Sequence, residues 1–173
     1  MTPRRLIAAI IGLGLSSLSF GAGPQVDQGV VELADEPAVR FRTSGWDHSN
    51  TTNPFLLTPD RLTNAMVAVS RLASGQPFLD GGPVIPEALD AKTVRAVLAA
   101  RLEGKEDLRI STESIGDREI ARAAYRDGGR RCVEYAFEMR GYLIHVLLLA
   151  RPGAYFAAGT VVARKVIETI EPI

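Results

Sequence analysis

The sequence predicts an α+β fold: an antiparallel β-sheet with a C-terminal meander, packed against two or three helices. Three observations lead there. Residues 119–125, 131–139 and 142–150 read as strands, the first despite the helix propensity of 119–124 because it exits through Gly-Gly into a strand; Asp127-Gly128-Gly129 and Arg140-Gly141 separate them and supply the positive φ tight hairpins need. Apolar residues recur at helical spacing in the segments before and after these runs, 90–102 and 154–169. With 46% apolar and 23% charged residues the chain can build a core and is not disordered throughout.

The elements follow in order. Met1 to Arg5 is a basic head, Leu6 to Phe20 carries no charge, and Ser19 and Gly21 are the small residues of a cleavage site before Ala22. Residues 1–21 therefore read as a secretory signal peptide. The apolar run is shorter than the roughly 20 residues a membrane span needs and ends in Gly21, Gly23 and Pro24. Arg4-Arg5 raises twin-arginine export, but the strongly apolar run favours the Sec route, and no Cys follows the site to anchor a lipoprotein. Removing 21 of the 173 residues leaves 152, with 18 basic against 20 acidic side chains. A chain of that size forms one domain, 30–173, without disulfide or metal. The expected location is bacterial and periplasmic, or secreted, as a soluble protein with no transmembrane segment in the mature chain.

Residues 22–29 read as a flexible leader. Val30–Leu33 and Val39–Thr43 flank Ala34-Asp35-Glu36-Pro37 as a hairpin. Residues 44–59 are punctuated by Gly, Asn, Thr and Pro and read as a loop. Between 62 and 73, Leu62, Ala65, Met66, Val69, Leu72 and Ala73 recur at helical spacing behind Thr58-Pro59-Asp60, an N-cap pattern. Ala65-Met66-Val67-Ala68-Val69 could equally be a strand buried on both faces; periodicity favours helix. Residues 75–88 form an irregular, Gly- and Pro-rich connection. Asp90 caps the next helix, Val94, Val97, Leu98, Arg101 and Leu102 make its stripe, and Gly104 ends it. Arg101 is expected to lay its stem on the core and snorkel outward. Leu108 to Ile115 reads as a strand. In the run 131–139, Val133, Tyr135, Phe137 and Met139 form an apolar face opposite Cys132, Glu134, Ala136 and Glu138. Residues 143–149 are apolar on both faces, as in a central strand. The closing helix places Phe156, Thr160, Ala163, Ile167 and Ile170 on one stripe.

This order resembles the PsbP-like and DcrB-like family of periplasmic and thylakoid-lumen proteins. The resemblance rests on Ser44-Gly45-Trp46 after the first hairpin, the helix at 90–102, the Gly128-Gly129 and Gly141 hairpins, and Pro152 and Phe156 opening a last helix that ends near Ile167 to Ile170. It covers about residues 30–171. The chain lacks the family's Pro before Gly45-Trp46. The resemblance implies a strand where periodicity favours a helix at 59–73, and a partner-binding protein without catalysis.

The chemistry is sparse. Arg outnumbers Lys 17 to 3, but the arginines between 118 and 140 are interleaved with acids and form no basic stripe, so no nucleic-acid partner is expected. No nucleophile elbow, P-loop, zinc-protease helix or dinucleotide-binding glycine pattern is present. Asp47, His48 and Ser49 are adjacent, yet adjacent side chains diverge and form no relay. His48 reads as a surface-loop residue, His145 as a hydrogen-bonded histidine in an apolar strand, and Cys132 as a buried small hydrophobe. Trp46 reads as a loop anchor, and Asp60, Asp80 and Glu87 as turn or cap residues. Asn50-Thr51-Thr52 matches a glycosylation pattern relevant only to a eukaryotic pathway. No catalytic, cofactor-binding or metal-ligating residue is assigned. Two readings remain. One is an exported, non-enzymatic module that binds a protein partner or small ligand through the sheet's open face or the 44–59 and 74–88 loops. The alternative is a small secreted hydrolase using His48 or His145 as general base.

Overall fold

The computed structural model describes residues 24–27, 29–43, 45–59, 64–79 and 81–173. Its described part is α+β, with strands paired antiparallel throughout. The proposed signal peptide lies outside the described residues, as do Asp60 and Asp80. A four-stranded sheet is ordered β1 (Gln25–Asp27), β2 (Val30–Leu33), β3 (Val39–Arg42) and β11 (Glu171–Pro172). The expected first hairpin is β2–β3, with Val31, Leu33, Val39 and Phe41 fully buried.

The larger sheet has seven strands. From one edge to the other they are β4 (Asp47–His48), β5 (Phe55–Thr58), β6 (Ala65–Ala73), β10 (Tyr142–Ala150), β9 (Arg130–Met139), β8 (Arg118–Asp127) and β7 (Glu106–Ile115). Strands β8 to β10 are the expected meander. Gly128 and Gly129, at φ 55° and 80°, make the two-residue turn between β8 and β9, as a type I′ hairpin requires. Helix α1 (Ala91–Arg101) begins at Asp90, whose carboxylate accepts from the Thr93 N–H at 2.7 Å, and helix α2 spans Ala154–Thr169.

Two expectations are corrected. Residues 65–73 are strand, not helix. Seven consecutive residues, Ala65 to Arg71, are buried because both faces of β6 are covered, so the run has no alternation to show. The 44–59 loop contains β4 and β5; Phe55 and Leu57 are fully buried and pair along β6.

The seven-stranded sheet has a core on each face. Toward α2 and the small sheet lie Val133, Tyr135, Phe137, Ile144, Val146 and Leu148, with Val162, Ala163, Val166 and Ile167 of α2. Toward α1 and the 75–89 connection lie Phe78, Ile85, Val94, Leu98, Leu102, Ala121, Ala123 and Leu143. Both broad faces therefore carry a core, and what remains open of the sheet is strand β7 and the part of the α1-side face that the helix does not fill. Two arginines fasten the pieces. Buried Arg71 donates to the carbonyls of Asp35, Pro37 and Thr52 at 2.6–2.9 Å, while Asn53 brackets the Arg71 backbone through its own amide. Arg118 donates to the carbonyls of Ile167 and Ile170 at the C-terminal end of α2, satisfying groups a helix end leaves unpaired.

Candidate functional site

The sheet face beneath α1 holds a cluster of polar side chains, and strand alternation puts them there. Cys132, Glu134 and Ala136 of β9 point toward α1. The register pairs Ala136 with His145 and Cys132 with Tyr125, so His145 and Tyr125 are diagonal neighbours of Glu134 on the same face. Arg101, at the last turn of α1, reaches down to them. Its Nη2 donates to both carboxylate oxygens of Glu134 at 2.6 Å. The Tyr125 hydroxyl donates to Oε1 at 2.5 Å, and His145 Nε2 lies 2.8 Å from Oε2. One carboxylate thus ties α1 to β8, β9 and β10. Arg101 does not snorkel outward as the sequence suggested. Its side chain is only 16% exposed, because the anion beneath it draws it inward and Phe78 covers it at 5.1 Å.

The charges balance within the cluster. Burial alone would push the Glu134 carboxyl up, but His145, Arg101 and Tyr125 together hold it below the usual carboxylate range. Burial pushes the His145 pKa below its usual value, against the opposing pull of Glu134. The resident charges are therefore Glu134⁻ and Arg101⁺, with His145 neutral. An ionised carboxylate only accepts, so Nε2 carries the imidazole proton, and Nδ1 is left buried with no hydrogen-bond partner. Burial likewise raises the Tyr125 hydroxyl, and it pushes the Cys132 thiol up to about 12, so Cys132 is the inert buried thiol expected.

Ser70 of β6 pairs directly with His145 across the sheet. Ser70, His145 and Glu134 therefore stand on three neighbouring strands, β6, β10 and β9, the residue types of an acyl-transfer relay. Access separates them from one. Ser70 is 2% exposed, His145 1% and Glu134 0%, and the fully buried Phe78 ring sits edge-on to the imidazole at 5.0 Å. A substrate carbonyl has no route to the serine. The cluster is a sealed structural network.

The other histidine lies elsewhere. His48 is exposed on the short edge strand β4, stacked on Phe55 at 5.9 Å, with Nδ1 3.3 Å from the Ser49 carbonyl. Ser49 turns away to Thr51 and the Leu56 N–H, so Asp47, His48 and Ser49 form no relay. Trp46 packs partly against the core on the α2 side, and Glu87 is exposed. Among the described residues no three His, Cys, Asp or Glu side chains gather as a metal site, and no helix is long and apolar enough to cross a membrane.

An open groove of about 290 Å³ lies where the start of α1 overhangs β8 and β9. Its apolar floor is Leu89, Val94, Ala121 and Ala136, and Phe137, whose ring lies in the α2-side core, borders it; the two alanines leave the space a larger side chain would fill. Asp90, Glu119 and Glu138 supply carboxylates at the rim, which Arg118, its guanidinium held by α2 on the other face, also borders. Asp90 is engaged with Thr93, and Glu138 accepts from the Gly141 N–H at 2.6 Å. The rim is acidic over an apolar floor. Sequence reasoning marked neither this groove nor the Glu134 network, since only the pairing register assembles them.

No family model matches the chain, and no curated protein does. Among solved structures, the chain is similar to the solution structure of cyanobacterial PsbP (CyanoP) from Synechocystis sp. PCC 6803. The two are 13% identical with a TM-score of 0.47, over 93% of this chain and 99% of that one.

Proposed function

We propose that this protein is an exported, non-enzymatic binding module of the bacterial cell envelope, which takes a protein partner through the groove at the start of α1. The observation that carries this reading is the sealing of the Ser70–His145–Glu134 cluster: these three residues are unreachable, and the groove at the start of α1 has no Ser, Cys or His in its lining. An apolar floor with an acidic rim suits a basic side chain that has an aliphatic stem, such as a Lys or Arg on a partner's surface. The signal-peptide pattern of residues 1–21 supports a partner outside the cytoplasm. The groove is the uncovered part of the sheet face on the α1 side, and the 75–89 connection serves to close the second core.

The test pairs export with contact. The protein recovered from the periplasm should begin at Ala22 by intact mass. A photo-crosslinking side chain at exposed Glu119 should join one defined partner, and that product should disappear in Glu138→Lys while the same crosslinker at exposed Arg95 gives none. Reproducible turnover of an ester, peptide, glycoside or phosphate substrate, lost in a folded His48→Gln protein, would contradict the binding reading in favour of the hydrolase.

A further inference from the structure

Strand β7 ends the seven-stranded sheet, and among the described residues nothing pairs with its outer edge. We propose that this edge pairs antiparallel with the same edge of a second copy of the chain, with the two-fold axis through Ser111.

Hairpin geometry decides which backbone groups are free. Ile115 pairs with Arg118 across a two-residue turn, so these two exchange hydrogen bonds, and alternation makes Glu113, Ser111 and Arg109 the next residues bonded to β8. The N–H and C=O groups of Leu108, Ile110, Thr112 and Ser114 therefore point outward. Asp107, at φ 56° beside a register shift, ends the flat stretch at Leu108. The available edge is 108–114.

Two copies can hydrogen-bond only in registers that place these outward residues opposite one another. Charge then selects among them. Centring the pair on Ile110 sets Arg109 against Ser111, centring on Thr112 sets Glu113 against Ser111, neither with a charge opposite, while centring on Arg109 or on Glu113 sets that residue against itself. Centring on Ser111 sets Arg109 opposite the second copy's Glu113 on both sides of the axis. Those residues fall in non-hydrogen-bonded pairs, where facing side chains lie closest. Arg109 is exposed and makes no ion pair among the described residues, while Glu113 is approached only loosely, by Arg122 at 3.8 Å and Arg164 at 3.5 Å. On the other face Ile110 meets Thr112, a β-branched pair. The interface is isologous, and it occupies the edge that would otherwise invite unspecific strand addition.

The experiment introduces Ser111→Cys into the full chain and oxidises the purified protein. Only Ser111 faces its own copy, and Cys132 is buried and inert, so a covalent dimer should form through position 111 and not in Thr112→Cys. By sedimentation the unmodified protein should dimerise with rising concentration. Arg109→Glu should weaken dimerisation about tenfold or more, and Arg109→Glu with Glu113→Arg should restore it. Thermal melting confirms that each variant is folded. A monomer at all concentrations with no crosslink at 111, a crosslink at 112 as efficient as at 111, or a dimer indifferent to Arg109→Glu would overturn the proposal.

Discussion

Glu134 has no exposed surface and still bears a full charge, and its three donors explain how. Removing that charge strands the Arg101 guanidinium. Glu134→Gln should therefore cost about 3–5 kcal/mol, read from the urea midpoint. His145→Gln loses one matched buried partner and should cost about 1–3 kcal/mol. His48→Gln, on the surface, should stay within about 0.5 kcal/mol. The same cluster makes the protein sensitive to acid. The His145 pKa is depressed in the folded state, so the unfolded chain takes up a proton first, and stability is lost as pH falls below about 6.5. Glu134, held below the ordinary carboxylate range, adds stability that is present above about pH 4.5 and is lost as pH falls below it. Urea midpoints should thus drop between pH 7.5 and 5, and this drop should shrink in His145→Gln. A midpoint that rises with acidity would contradict the assignment.

At the scale of elements, the 75–89 connection works as a lid on the second core, and its shape rests on Gly82. A Cβ there would lie 2.0 Å from the Phe78 carbonyl oxygen, a backbone atom that cannot turn aside. Gly82→Ala should displace Phe78 from His145 and Arg101 and cost about 1–3 kcal/mol, with faster amide exchange around His145. What could be read from the residues divides along the same lines. The meander and both helices were legible because their signals are local: Gly pairs at turns, Asp90 three residues before Thr93, apolar residues three and four apart. Strand β6 was not, since a strand covered on both faces loses its period of two, and its chance apolar spacing then imitates a helix. Strand β5 was hidden by Asn53-Pro54, which reads as loop although Phe55 and Leu57 alternate inward.

For the whole molecule, the decisive facts are relations between distant segments. Glu134 looked like one residue of a mixed strand face, and Arg101 like a snorkelling edge residue; only the fold shows that helix and sheet bring them together 33 positions apart. The groove was equally illegible, because Ala121 and Ala136 become its floor only when β8 and β9 lie side by side. The central claim is that His145 belongs to a sealed, neutral network and takes no part in proton transfer. Imidazole nitrogen resonances of His145, followed by NMR as pH is lowered, test it most directly. The account predicts one neutral tautomer, protonated at Nε2, persisting until the protein unfolds. An imidazolium forming at His145 in the folded protein near pH 6–7, as an accessible general base would show, would contradict it.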